Sequence, residues 1–233
     1  MAGAAEEGFA RRVTTLGALA DPVRRALYRF VSDQDEAVSR EQAAEGVEVP
    51  RHTAKFHLDR LVDEGLLVTE FRRLTGRSGP GAGRPAKLYR RSAREVSVSL
   101  PHRRYDLAAE VLADAIERSL DGTPMAEAVT AAADAAGRLA VDAAPEKART
   151  RRGRELDRVA VALAPFGYEP RVDAALDLAN CPFDRLAADH RDLVCGMNLA
   201  FVGSVADQLG CVGVRAEQVP GTEGCCVRVV PSD

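Results

Sequence analysis

The sequence predicts an α+β protein with a helical N-terminal region that ends in a β-hairpin, a helical centre and a small mixed C-terminal domain. Apolar residues recur at steps of three and four along the N-terminal part, and an alanine-rich segment with helical spacing follows in the centre. After residue 170, short strand-like runs surround one apolar helix. We expect domains at residues 8–95, 96–145 and 146–233.

Composition predicts aliphatic cores and a reducing compartment. The 233 residues are 46% hydrophobic but only 5% aromatic. Acids and arginines occupy the N-terminus, and no run approaches the ~20 apolar residues of a membrane span, so we expect a cytoplasmic protein with no membrane partner. Because that compartment keeps thiols reduced, the five cysteines are read as metal ligands, redox centres or core thiols rather than disulfides.

Charge is unevenly distributed along the chain. Residues 1–104 contain 19 Lys and Arg against 14 Asp and Glu, whereas the rest contains 13 against 21. Between Arg72 and Arg104 there are ten basic residues and one acid, Glu95. Such a block is typical of a solvated tail or of a segment that binds an anionic partner such as nucleic acid.

The N-terminal helices carry clear start signals. Asp21 and Pro22 suit the N-cap and first turn of a helix, and Ser39 with Gln42 fits a capping box. Gly46 suits a turn, and a further helix is expected from Pro50 to about Glu64. A helix, a tight turn and a second helix predict a helix-turn-helix, whose second helix offers polar side chains to base edges of the major groove. The residues expected to do so are Arg51, His52, Thr53 and Lys55.

A β-hairpin is expected next, with strands at 66–74 and 86–90 joined by a loop rich in Gly and Pro. A basic hairpin beside a recognition helix can bind phosphates and the narrow minor groove. We therefore expect Arg84 in the minor groove and phosphate contacts from Arg72, Arg73, Arg77 and Lys87. The alternative is a basic loop with no role in DNA binding.

The five cysteines all lie after residue 180, in the pattern C-x13-C-x15-C-x13-CC. Structural zinc sites usually draw ligands in pairs two to four residues apart, and none occurs here, whereas iron–sulfur clusters accept single cysteines from separate elements. Cys195 is expected to open an apolar helix, where the dipole favours a thiolate. Cys225 and Cys226 are expected to start a strand and so to point to opposite faces.

These segments carry a resemblance to known families. LADPVRRALYRFV, HTAKFHLDRL and GRPAKLYRR resemble the winged helix-turn-helix of ArsR/DeoR-type bacterial transcription repressors. LANCPFDRLAADHRDLVCGMNLAFV and GCCV resemble the SufR-type repressors, which sense an iron–sulfur cluster and control cluster-assembly genes. The resemblance implies a cluster, [4Fe–4S] rather than [2Fe–2S], held in a C-terminal sensor domain by Cys181, Cys195 and Cys225 or Cys226.

The ligand set beyond these cysteines stays open at the sequence level. Cys211 is either a further ligand or a core thiol. If three cysteines bind, a non-cysteine ligand is needed, and sequence proximity offers Asp184, Asp189 and His190.

The central helices predict self-association. The segment from Met125 to Ala144 has a narrow stripe of small residues, which suits helix packing within a chain or across a dimer. Two-fold dimers bind palindromic half-sites about one DNA turn apart, so we expect a homodimer on a palindromic double-stranded operator.

The preferred function is a cluster-sensing DNA-binding repressor and not an enzyme. An enzyme with Cys181 or Cys195 as nucleophile and His190 as base would lack a third orienting group. The remaining alternative is a winged-helix repressor with a cluster-free thiol redox switch or a small-molecule pocket.

Overall fold

A computed structural model describes residues 3–73, 85–219 and 224–232, with side chains from residue 7 onward. The chain divides into two compact units, an N-terminal unit (Met1–Val98) and a C-terminal unit (Ser99–Asp233). Each unit has its own hydrophobic core.

The N-terminal unit is a helical bundle closed by a three-stranded antiparallel sheet of order β1-β3-β2. Its described elements are α1 (Gly3–Gly17), α2 (Pro22–Ser32), β1 (Val38–Ser39), α3 (Arg40–Gly46), α4 (Arg51–Asp63), β2 (Leu67–Arg72) and β3 (Ala86–Arg91).

Local signals in the sequence explain where these elements start. The Asp21 carboxylate accepts a hydrogen bond from the Arg24 backbone N–H at 2.8 Å, and Pro22 occupies the first turn of α2. The predicted capping box is confirmed, because Ser39 and Gln42 exchange both of its hydrogen bonds at the start of α3. Gly46 ends α3 against the Phe30 ring, where a Cβ would find no space.

The core of the N-terminal unit fixes α4 against the sheet. Leu58 and Leu61 of α4 are fully buried beside Leu27 of α2 and Leu67 of β2. Tyr89 of β3 is buried in the same cluster. One face of α4 packs on this core, so the opposite face is available to solvent or a ligand.

The C-terminal unit combines helices with a four-stranded antiparallel sheet of order β4-β5-β7-β6. Its described elements are α5 (Tyr105–Leu120), α6 (Met125–Asp142), α7 (Glu146–Arg149), α8 (Glu155–Leu163), β4 (Pro170–Val172), β5 (Leu176–Leu178), α9 (Asp184–Asp189), α10 (Arg191–Gln208), β6 (Val214–Gln218) and β7 (Val227–Pro231).

The small-residue stripe of α6 packs within the chain. Ala128, Ala132 and Ala133 are buried, and Gly137 lies so close to Ser204 of α10 that a Cβ would stand 2.6 Å from the serine Cβ. The Ser204 hydroxyl donates to the Asp134 carbonyl oxygen at 2.9 Å. Small side chains let the two helices approach closely, so α6 belongs to the core that also carries the cysteines.

This packing differs from the predicted division into domains 96–145 and 146–233. Helices α5 and α6 share one hydrophobic cluster with α8, α10 and the sheet, within the single unit Ser99–Asp233. The sequence predicts amphipathic helices there, but it does not specify the surface on which their apolar faces pack.

Candidate functional site

Helix α4 presents a polar face. Arg51, His52 and Lys55 are exposed, and Thr53 is half-buried. These four predicted DNA-contacting residues lie in the first two turns of α4, the part of a recognition helix that meets base edges. The structure therefore places them on one end of the helix, although Thr53 is turned partly toward the core.

Asp59 joins α4 to the hairpin. Its carboxylate accepts hydrogen bonds from Lys55 Nζ at 2.9 Å, Lys87 Nζ at 2.7 Å and Tyr89 Oη at 2.9 Å. Burial alone would raise the pKa of Asp59, but the bonds from Lys87, Lys55 and Tyr89 outweigh it and lower the pKa to about 2. The carboxylate is thus charged at neutral pH and holds two predicted DNA-contacting lysines.

Sequence reasoning missed Asp59, because an acid on a DNA-reading helix offers no obvious contact to an anionic ligand. The available signal was its position four residues after Lys55, which allows an ion pair on one helix face. The second lysine, Lys87, is 28 residues away and comes close only through the strand pairing of β2 and β3.

The hairpin positions the remaining basic residues. Strands β2 and β3 pair over six residues, from Leu67 opposite Arg91 to Arg72 opposite Ala86. Arg72 is about half exposed and donates to Glu36 at 3.0 Å, and Arg73 is exposed. Predicted contacts at Arg77 and Arg84 lie outside the described residues.

Four of the five cysteines meet in the C-terminal unit. The Cys225 thiol hydrogen-bonds with those of Cys181 and Cys226, and the Cys195 thiol with that of Cys226. Cys211 stands apart, buried with its sulfur 4.0 Å from the Glu155 carbonyl oxygen. The structure therefore separates a group of four thiols, which we call the cysteine cluster (Cys181, Cys195, Cys225, Cys226), from one core thiol.

The cysteine cluster borders a cavity of about 140 Å³. Cys181, Cys195 and Cys226 line this cavity together with Asp184 and Arg191. The three thiols come from the loop before α9, from α10 and from the segment before β7. Three segments of the chain thus present sulfur to one partly open cavity.

Adjacent cysteines at 225 and 226 occupy different surroundings. Cys226 lines the cavity and is half-buried, whereas Cys225 is buried and accepts a hydrogen bond from Asn198 Nδ2 at 3.1 Å. The sequence predicts that these two residues start the last strand and point to opposite faces, but β7 begins at Val227 and the two thiols are hydrogen-bonded to each other.

The thiols of the cluster differ in acidity. The hydrogen bond from Cys225 lowers the pKa of Cys226 to about 6, against the opposing effect of burial, and Cys195 and Arg191 lower it further. A hydrogen bond from Cys225 also lowers the pKa of Cys181. The pKa of Cys225 itself is raised, chiefly because its thiol donates to Cys181 and Cys226.

The position of Cys195 differs from the sequence prediction. Helix α10 begins at Arg191, so Cys195 lies in its second turn instead of opening it. Burial raises the pKa of Cys195 to about 12, and hydrogen bonding to Cys226 acts in the same direction. Cys195 therefore lies beyond the first turn, within which the helix terminus favours a thiolate.

A buried polar pair, Tyr168 and Asn198, is hydrogen-bonded to the cysteine cluster through Cys225. Asn198 and Tyr168 are 1% and 2% exposed, so both need hydrogen-bond partners. The Tyr168 hydroxyl donates to Asn198 Oδ1, which leaves the Asn198 amide N–H to donate to Cys225 Sγ. Sequence reasoning missed both residues, and an asparagine within the apolar run of α10 was the available signal.

Arg103 holds the loop that carries Cys181. Its guanidinium donates to the Cys181 carbonyl oxygen and to Asn180 Oδ1, and pairs with Asp184 at 3.3 Å.

The sequence offers three candidate non-cysteine ligands. Asp184 lines the cavity, while Asp189 and His190 are exposed and are not among its lining residues.

Over the described ranges, no group of three or more His, Cys, Asp or Glu side chains is arranged to hold a single metal ion. A single ion draws its ligands to about 2.3 Å from one point. A polynuclear cluster spreads its thiolates over several iron atoms, so its ligand sulfurs lie farther apart than the ligands of one ion.

Across the same ranges, no helix combines the length and apolar character of a membrane span.

Residues 19–70 match a family described as a helix-turn-helix domain, of the ArsR type. No curated protein and no solved structure matches the chain. The matched segment runs from the turn before α2 into β2 and includes the whole of α4. The N-terminal unit thus carries a helix-turn-helix typical of winged-helix, DNA-binding transcription regulators.

Proposed function

We propose that this protein is a transcriptional repressor whose affinity for its operator is controlled by an iron–sulfur cluster in the C-terminal unit, and that it regulates cluster-assembly genes. One observation carries the proposal. Four thiols from three separated segments converge in one unit, while the other unit contains a helix-turn-helix.

The N-terminal unit supplies DNA binding. Arg51, His52, Thr53 and Lys55 approach base edges from α4, as the first turns of a recognition helix do. Arg72, Arg73 and Lys87 contact phosphates beside α4. A phosphate contact from Arg77 and a minor-groove contact from Arg84 complete the proposed set, and both of these residues lie outside the described ranges. Each phosphate contact releases counterions, so the proposed affinity falls steeply with salt.

The donor set of the cysteine cluster fits an iron–sulfur centre. Cys181, Cys195 and Cys226 line the cavity, and Cys225 or Asp184 completes the set. A bound cluster supplies a redox- and oxygen-sensitive link between these side chains. The Arg191 cation beside the cavity offsets thiolate charge, and two of the four thiols, Cys181 and Cys225, belong to the apolar core.

The same side chains connect the sheet to α10. Cys181 follows β5, Cys225 and Cys226 precede β7, and Cys195 belongs to α10, which also packs on α6. A group that links these thiols restrains their segments relative to one another, and its loss releases them. A coupling of ~1–3 kcal/mol between this site and DNA suffices for a 5–150-fold change in affinity.

The proposed homodimer uses α5 rather than α6. The small-residue stripe of α6 is buried within the chain, but α5 leaves an apolar stripe in solvent. Tyr105, Ile116 and Leu120 are 38%, 51% and 83% exposed, and half-buried Leu112 continues the line. Helical spacing aligns these residues, and a second α5 would cover them in a two-fold pair on a palindromic operator.

A cluster-free thiol switch is the second candidate, and the thiol contacts favour it. The thiolate of Cys226, with a pKa of about 6, lies in hydrogen-bond contact with Cys195. An oxidant could join the two sulfurs as a disulfide, with the two electrons passing to that oxidant.

Purification without air distinguishes these functions. A brown protein with iron and sulfide near four per chain, and a gel shift that changes when the chromophore is removed, supports cluster control. Cys195→Ser should lose iron, whereas Cys211→Ser should keep it, because Cys211 lies outside the cysteine cluster. A colourless protein that binds DNA and responds to peroxide would refute the cluster and favour the thiol switch.

A further inference from the structure

Phe56 is an exposed aromatic residue in the middle of the polar face of α4. Its side chain is 65% exposed, although its neighbours on this face are mostly charged. A shallow groove along the helix is lined by Phe56 together with Arg24, His52, Lys55, Asp59, Arg60 and Asp63. A phenylalanine there leaves a large apolar ring in water on the surface that the proposed function brings to DNA.

The Phe56 ring packs against the neighbouring His57 ring. Phe56 meets the His57 ring edge-on, with centroids 5.2 Å apart and planes at 72°. His57 Nδ1 in turn accepts a hydrogen bond from Arg24 Nε at 3.4 Å, which ties the pair to α2. The restraint reduces the side-chain entropy that Phe56 would lose on binding a ligand.

The chemistry of the ring restricts its partner. Phenylalanine offers no hydrogen-bond donor or acceptor for base edges or phosphates. In the major groove of unmodified DNA, the C5-methyl group of thymine is the apolar feature among the base-edge patterns. Arg24 and Arg60 beside the ring provide positive charge for the flanking phosphates, and Arg60 would exchange its ion pair with Glu64 for a phosphate oxygen.

We propose that Phe56 reads a thymine methyl group in each half-site of the operator. The proposal rests on the DNA-binding function proposed above and adds a base preference to it. Phe56 then acts through apolar contact, while the polar residues at the start of α4 act through hydrogen bonds.

The test uses duplexes selected from a random-sequence library by the full-length protein. Each thymine of the best duplex is replaced in turn by deoxyuridine, which removes the methyl group and keeps the base pair. We expect one position per half-site at which the replacement weakens wild-type binding by roughly 3- to 5-fold, as loss of one apolar carbon predicts. Phe56→Ala should bind the thymine duplex correspondingly less well and be insensitive to uracil at that position.

Two further variants control the result. Phe71→Ala removes a ring that is also 65% exposed but belongs to β2, and it should keep the wild-type response to uracil. Phe56→Leu keeps an apolar side chain and should restore part of the response. Because Phe56 is exposed, the melting temperatures of its variants should match that of the wild type.

The outcomes distinguish a failure of the proposed thymine contact from a failure of the proposed DNA-binding function. If Phe56→Ala responds to every uracil as the wild type does, the inference is wrong while DNA binding stands. If the protein enriches no sequence and shifts no duplex, the proposed DNA-binding function fails, and the inference fails with it.

Discussion

The close approach of α6 and α10 at Gly137 leads to a sharp prediction for Gly137→Ala. A Cβ at this position would stand 2.6 Å from Ser204 Cβ and 3.1 Å from the Phe201 carbonyl oxygen. Neither atom is the end of a flexible side chain, so the two helices must move apart. The same shift weakens the bond from Ser204 Oγ to the Asp134 carbonyl oxygen.

The expected magnitude follows from opposing effects on the free energy of unfolding. Overpacking of a close contact costs typically ~1–3 kcal/mol, and loss of the serine hydrogen bond costs about 1 kcal/mol. Alanine is a better helix former than glycine by roughly 0.5–1 kcal/mol. The net expectation for Gly137→Ala is a loss of roughly 1–3 kcal/mol, which lowers the melting temperature by several degrees.

Thermal and urea unfolding of the full chain, followed by circular dichroism, measure this loss. Gly203→Ala in α10 is the matched control, because its added Cβ meets only Ala216 Cβ at 3.9 Å. We expect it to leave stability unchanged or raise it by up to about 1 kcal/mol. A Gly137→Ala variant as stable as Gly203→Ala would refute the packing of α6 on α10 described above.

Three other predictions concern buried or bridging polar groups. Asp59→Asn should lower stability by on the order of 1 kcal/mol in urea denaturation, whereas Asp63→Asn on the same helix should have little effect. Folding lowers the pKa of Asp59 from 3.8 to about 2. The contribution of this carboxylate to the free energy of unfolding is therefore present above pH ~4 and disappears as the pH falls toward about 2. An acid titration in which Asp59→Asn and the wild type lose stability in parallel would contradict this expectation. Asn198→Leu should lower the free energy of unfolding by about 1–3 kcal/mol, because it leaves the Tyr168 hydroxyl unpaired. The double variant with Tyr168→Phe should recover part of that loss in thermal melts. A double variant with no recovery would argue against the Tyr168–Asn198 hydrogen bond.

Local interactions made much of the N-terminal unit predictable. Capping at Asp21 and Ser39 depends on residues three positions apart, and the recognition helix predicted from Pro50 to Glu64 is found at Arg51–Asp63. Where local signals are absent, prediction was less accurate. The start of α10 at Arg191 has no side-chain cap, so the sequence placed the helix start one turn late, at Cys195.

By itself, the sequence determined the identity of the helix-turn-helix, the strands of the hairpin and the confinement of all cysteines to the last fifty or so residues. Each of these follows from side chains close together along the chain. Only the tertiary structure decided which thiols meet, that Cys211 stands apart, and that one carboxylate, Asp59, holds lysines from a helix and a strand. Apart from the Lys55–Asp59 pair within α4 and the adjacent Cys225 and Cys226, these contacts join residues more than ten positions apart, and packing of whole elements brings them together.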